Sequence, residues 1–141
     1  PLMTQSGGGS IINISSVAGL TGAAGLAGYC ATKGGVRLFS KAVAIECASG
    51  NTNIRVNSVH PGIIETDIWG KEIAGIAESQ PDLMDAGANR IDGKAFAEAV
   101  VPGGRVGHVS DVSRGVVFLA SDASSYMTGS ELVIDHGLSA S

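Results

Sequence analysis

Basic charge is scarce in this sequence. Nine lysines and arginines face thirteen aspartates and glutamates, giving a formal net charge of −4. A nucleic-acid binder needs a basic face, so the balance argues against that class of partner. Long apolar runs are missing too: no stretch of 18 apolar residues occurs, so no segment reads as a membrane span. The opening Pro1-Leu2-Met3-Thr4-Gln5 has neither a charged n-region nor an apolar core, so it does not read as a signal peptide. Position 1 is not Met, which points to a fragment or a processed chain. Cysteine is limited to Cys30 and Cys47. Both fall in one expected helix, about 25 Å apart at 1.5 Å per residue, and a disulfide needs Cα atoms within about 7 Å. They cannot pair with each other, which suits a reducing, cytoplasmic setting. His108 and His136 have no metal-ligand spacing to the cysteines or to each other, so no metal is expected. Internal repeats are absent.

What is present is enough apolar material for one globular domain. The chain has 141 residues, 44% hydrophobic and 16% charged, a balance typical of soluble domains. Its 21 glycines are dispersed without a period, which excludes collagen and linker character. They cluster between apolar runs, as tight strand–helix connections require.

Gly7-Gly8-Gly9-Ser10 leads into Ile11-Ile12-Asn13-Ile14, a short run that reads as a buried strand. Four glycines between 17 and 28 mark a loop. A helix should run from about Tyr29 to Ala48, with Val36, Phe39, Val43 and Cys47 as its apolar stripe and Gly50-Asn51 ending it. Ile54 to Val59 is a second strand, stopped by Pro61-Gly62. Residues 68–78 and 92–100 have helical character. Ser110 and Asp111 suit the N-cap of a further helix with Val112, Val116, Val117, Leu119 and Ala120 on its apolar face. Glu131 to Asp135 reads as a last strand. Strands alternating with helices imply an α/β fold with a parallel sheet and covering helices. Three strands are few for such a sheet, so N-terminal strands are expected to be missing. Asn13 and Asn57 should hydrogen-bond neighbouring backbone.

Tyr29 and Lys33 stand four apart in the helical pattern and share one face. A phenol ordinarily holds its proton to about pH 10, too high for a base at neutral pH. A neighbouring ammonium favours the phenolate. Ser16 lies at the carboxyl end of a strand, where open α/β sheets place ligands. A hydroxyl there could hold a substrate oxygen beside the phenol. Alone, such a Tyr/Lys pair more often marks packing and a solvated charge.

Context decides between those readings. Ile12-Asn13-Ile14-Ser15-Ser16 is followed by Tyr29-Cys30-Ala31-Thr32-Lys33, with Tyr29 thirteen residues past Ser16. Then come Arg55-Val56-Asn57-Ser58-Val59-His60-Pro61-Gly62, Gly104-Arg105-Val106-Gly107, Phe118-Leu119-Ala120-Ser121-Asp122 and Thr128 to Asp135. In this order and spacing they resemble the second half of short-chain dehydrogenases/reductases, and the resemblance leaves out only residues 63–102. It implies the C-terminal part of a Rossmann-like, doubly wound parallel sheet and an NAD- or NADP-dependent oxidoreductase. Tyr29 would be the acid/base. Lys33 would hold the nicotinamide ribose and support proton transfer. Ser16, rather than Ser15, would bond the substrate oxygen. In the segment Pro61 to Thr66, the Ile64 backbone would meet the nicotinamide carboxamide, and Thr66 the carboxamide or pyrophosphate. A homodimer or homotetramer is implied, through the long helix and the last strand.

The family's glycine-rich phosphate turn, its NAD/NADP-selecting residue and its Asn-Asn-Ala-Gly segment have no counterpart here, nor does the helix that supplies a catalytic asparagine. Residues 1–141 are therefore expected to be the catalytic portion without the dinucleotide-binding part, and inactive alone. His136 stands where the family usually has glycine. His60, beside Pro61, reads as packing, since Tyr29 already supplies the acid/base. Glu65 and Asp67 read as solvated. Trp69, with Ile68 and Ile73, lines a substrate pocket or packs a lid. The length of the 66–104 segment looks like that of hydroxysteroid and cyclic-alcohol dehydrogenases, so a hydrophobic secondary alcohol or ketone is the expected small-molecule substrate. The alternatives are a 3-oxoacyl-thioester reductase and a non-catalytic protein that keeps the fold for binding or assembly.

Overall fold

The computed structural model describes residues 1–70 and 92–140. A short helix α1 (Leu2–Gln5) leads into strand β1 (Gly9–Ile14); a loop with a 3-10 turn at Val17–Gly19 then enters the long helix α2 (Ala27–Ser49). Strand β2 (Ile54–Pro61) follows, then a 3-10 turn at Asp67–Gly70, helices α3 (Gly93–Val100) and α4 (Val109–Ala120), and strand β3 (Glu131–Ile134). The expected helix over 68–78 falls largely outside the described residues.

The three strands form one parallel sheet in the order β1-β2-β3. Gly9 to Ile14 pair with Ile54 to Val59, and Ser58 to Pro61 pair with Glu131 to Ile134. Side chains alternate between faces along a strand, and β3 shows what covers each. Glu131 reaches Arg37 and Lys41 of α2. On the opposite face, Leu132 and Ile134 lie against Gly115 of α4. Helices therefore cover both faces, which is the doubly wound arrangement. It also explains why Val56, Asn57, Ser58, Val59 and His60 are all buried on β2.

The stripe of α2 differs from expectation. Phe39 is 61% exposed, and the buried seam is Ser40 and Ala44, with Val36, Val43 and Cys47 half-buried. Small residues let the helix lie close to the sheet. Ser40 Oγ donates to Val36 O and accepts from Asn13 Nδ2 at 3.0 Å, so Asn13 bonds a side chain rather than backbone. Asn57 does bond backbone, donating to Met127 O and accepting from Ser130 N. At the helix end the left-handed residue is Asn51, with φ 52°, and Gly50 stays right-handed.

Helix α4 is capped two to three residues before the expected Ser110 or Asp111. His108 is the N-cap, and Asp111 returns from the third helical position to accept from His108 N at 2.9 Å. A carboxylate at that point suits the first turn and completes a capping box. Val117 is 67% exposed and Ala120 is exposed, so only Leu119, Val112 and Val116 of the expected face turn inward. His136 has φ 54°, the left-handed region in which glycine is at ease.

Glu131 ties β3 to α2. The hydrogen bond from Arg37 at 2.7 Å, helped by Lys41 at 2.8 Å, holds its carboxyl below the usual 4.5 against the opposing effect of burial. A lowered folded value means the contribution is fully present above pH 4.5 and is lost as pH falls through that lowered value. The urea midpoint should therefore drop as pH falls below about 4.5, and drop less in Glu131→Gln. Equal acid sensitivity in the two proteins would contradict this role.

Candidate functional site

The sheet's carboxyl edge opens into a cavity of about 1030 Å³. Ser16, Tyr29, Lys33, Pro61, Ile64 and Thr66 all line it. Each reaches it for a local reason.

Strand β1 hands its last carbonyls and hydroxyls to α2. Ser15 N donates to Val59 O at 2.8 Å, which keeps the chain in the sheet one residue past Ile14. Ser15 is buried, and its hydroxyl donates to Lys33 O at 2.8 Å. That bond depends on Gly19, where a Cβ would stand 2.7 Å from both Lys33 O and Ser15 Oγ. Ser15 is thus committed to holding the turn on the helix. Ser16 is extended and caps the Val17–Gly19 turn, its Oγ accepting from Ala18 N at 3.2 Å. A hydroxyl that accepts still has its proton to donate, so Ser16 can offer a hydrogen bond into the cavity.

Tyr29 sits in the first turn of α2 and is 37% exposed. Lys33 lies one turn on. Its Nζ is 5.7 Å from the centre of the Tyr29 ring and donates to Ile14 O at 3.1 Å. An ammonium has three donors, so two remain after Ile14. The expected stacking of Tyr29 and Lys33 is present, and the strand end that carries Ser16 holds the lysine in place.

The opposite wall is the Pro61–Thr66 segment. Ile64 forms an isolated parallel bridge with Gly107, through Gly107 N to Ile63 O at 2.8 Å and Glu65 N to Gly107 O at 2.9 Å. This is how the Gly104-Arg105-Val106-Gly107 run enters the site. In a parallel bridge of this kind the middle residue's own N–H and C=O point the other way. Ile64 O accepts from Trp69 Nε1 at 2.7 Å. Thr66 is exposed and its hydroxyl lies 3.5 Å from Ile64 O, a weak contact.

Trp69 stands between the cavity and α3. It lines the cavity with Ile68, and it packs on Phe96 of α3 with ring centres 5.7 Å apart. Together they join a cluster built on Ile63, Ala97 and Val101. Ile73 lies outside the described residues. Glu65 and Asp67 are exposed. Leu26, Phe96, Val100 and Leu138 also line the cavity; they come from three separated segments, and only Phe96 and Val100, one turn apart on α3, share a helical spacing. Among the described residues no group of histidines, cysteines and acids could hold a metal ion, and no helix is long and apolar enough to cross a membrane.

Residues 1–139 match the family described as enoyl-(acyl carrier protein) reductase. A cyclopentanol dehydrogenase of Comamonas testosteroni is 43% identical over 132 residues, covering 94% of this chain and 46% of that protein. A 2,5-dichloro-2,5-cyclohexadiene-1,4-diol dehydrogenase of Sphingobium indicum is 40% identical over 139 residues, covering 99% of this chain and 48% of the other. A 3-alpha-(or 20-beta)-hydroxysteroid dehydrogenase of Mycobacterium bovis is 42% identical, with 96% and 43% covered. The crystal structure of levodione reductase superposes with a TM-score of 0.76 at 32% identity, over 99% of this chain and 50% of that one. The chain spans about half the length of the curated relatives it matches.

Proposed function

The chain belongs to the short-chain dehydrogenase/reductase family, and we propose that it carries the proton-transfer part of an NAD- or NADP-dependent oxidoreductase interconverting a hydrophobic secondary alcohol and its ketone. The observation that supports this most is the meeting of Ser16, Tyr29 and Lys33 in one mainly apolar cavity. In the oxidative direction the Ser16 hydroxyl donates to the substrate oxygen and fixes it beside Tyr29. The Tyr29 phenolate takes the hydroxyl proton, and in reduction the phenol returns it. The Lys33 ammonium stands 5.7 Å from the centre of the Tyr29 ring and has donors left for ribose hydroxyls.

The residues fit the nicotinamide end of the cofactor. The Ile64 N–H faces away from Gly107, and Pro61 and Thr66 flank it, which suits a carboxamide. When bound, the nicotinamide supplies the hydride acceptor or donor. The glycine turn for the pyrophosphate that the family resemblance implies has no counterpart in residues 1–141. Leu38, Phe39 and Ile45 are exposed on α2, which suits the homo-oligomer that the family resemblance implies.

Leu26, Ile68, Trp69, Phe96 and Leu138 make the substrate side apolar. Relatives named for cyclic alcohols and hydroxysteroids favour the same class over a thioester. The test is turnover by the full polypeptide that contains this sequence, with each cofactor, on alicyclic secondary alcohols, primary alcohols and 3-oxoacyl thioesters. Alicyclic alcohols should exceed the others in kcat/KM by about tenfold or more. Preferred thioester reduction, or no turnover with either cofactor, would overturn the reading.

A further inference from the structure

His60 is fully buried on β2, and both ring nitrogens are engaged. Nδ1 lies 3.0 Å from Ser16 O, and Nε2 lies 2.9 Å from Ser58 Oγ. A carbonyl oxygen can only accept, so Nδ1 carries a proton. In the neutral ring Nε2 is then the acceptor, and the Ser58 hydroxyl donates to it. The hydrogen bonds therefore assign the Nδ1–H tautomer and give the imidazole a direction: it is anchored at Ser58 and donates to Ser16.

The chain leaves the sheet at that point. The last β1–β2 pair is Ile14 with Val59, and Ser15 N still bonds Val59 O. Ser16 has left the ladder, and the His60 imidazole reaches its carbonyl from β2. The neighbouring groups are already tied elsewhere. Ile14 O accepts from Lys33 Nζ, and Ser15 Oγ donates to Lys33 O. Ser16 O also accepts from Gly19 N at 2.9 Å inside the Val17–Gly19 turn, and His60 is the bond that joins this carbonyl to β2.

We propose that His60 is a positioning residue, which sets the Ser16 hydroxyl through a hydrogen bond to the Ser16 carbonyl. This rests on the reading of Ser16 given above. A donor aimed at developing charge acts through its exact placement, and displacement of about 1 Å can cost up to a hundredfold in rate.

Two amide substitutions separate the ring's two bonds. The Asn amide nitrogen is as many bonds from Cβ as Nδ1, and the Gln amide nitrogen as many as Nε2. His60→Asn can keep the donor to Ser16 and lose Ser58. His60→Gln can keep a partner for Ser58 and lose Ser16. In the full polypeptide, His60→Gln should lower kcat by about ten- to hundredfold with KM within about threefold, and His60→Asn should retain most of kcat. Equal losses in the two variants, or losses that track their melting temperatures, would overturn the proposal and leave His60 as packing. The unmodified protein gives a second readout: nitrogen–proton correlation of the imidazole should show the Nδ1–H tautomer, and an Nε2–H ring would overturn the proposal whether or not the variants fold. Ser16→Ala separates the premises. If it leaves kcat unchanged, the role of Ser16 fails, whatever His60 does.

Discussion

Tyr29→Phe should reduce turnover by about a thousandfold while leaving the fold intact. The substitution removes one oxygen. If that oxygen exchanges the proton with substrate, the loss is that of a general acid/base, typically 10²- to 10⁴-fold. Tyr29 is 37% exposed in the first turn of α2. The change therefore strands no buried polar group, and stability should move by no more than about 0.5 kcal/mol. The effect should fall on kcat, because the proton moves only as the reaction proceeds. Retained turnover in Tyr29→Phe, measured as cofactor reduction at saturating alcohol, would remove the acid/base from the account.

The largest structural effect should come from Arg55→Ala. The half-buried guanidinium of Arg55, at the start of β2, donates through Nη1 to Ser124 Oγ at 3.0 Å and Met127 O at 3.4 Å. Nη2 donates to Leu119 O at 3.0 Å and Ser121 O at 3.2 Å. Leu119 O and Ser121 O lie at the C-terminal end of α4, where a cation is favoured by the helix dipole, and Ser124 and Met127 belong to the segment after it. One side chain thus fastens the end of α4 to the central strand. Hydrogen bonds from a charged donor contribute about 1.5–3 kcal/mol each, but these share one group and are partly exposed. A net loss of about 3 kcal/mol is expected, read as a fall in the urea midpoint with unchanged slope. A loss below about 1 kcal/mol would show that solvent replaces the guanidinium at little cost.

The sequence made the sheet legible because the three strands are apolar runs bounded by turn residues, and the interrupting helices leave parallel pairing as the arrangement. Tyr29 and Lys33 were legible for a similar reason: four-residue spacing on a helix fixes their relation without tertiary knowledge. The seam of α2 was misjudged because hydrophobicity pointed to Phe39, whereas close approach to the sheet selected Ser40 and Ala44. The cap of α4 was misplaced by two to three residues, since histidine is not among the usual cap residues. His60 reads as packing from its position beside Pro61. Its hydrogen bond to Ser16 depends on the register that brings β2 beside that residue, and that register is tertiary information. The apolar cavity wall was hidden for the same reason, being assembled from separate loops and helices.

One measurement bears most directly on the assignment of Ser16, Tyr29 and Lys33 to proton transfer during alcohol oxidation. An alicyclic secondary alcohol deuterated at its carbinol carbon would be incubated with NAD or NADP and the full polypeptide, unmodified or carrying Tyr29→Phe. The account predicts deuterium in the recovered reduced nicotinamide for the unmodified protein and transfer about a thousandfold slower for the variant. No label transfer with either cofactor, or equal rates in the two proteins, would contradict it.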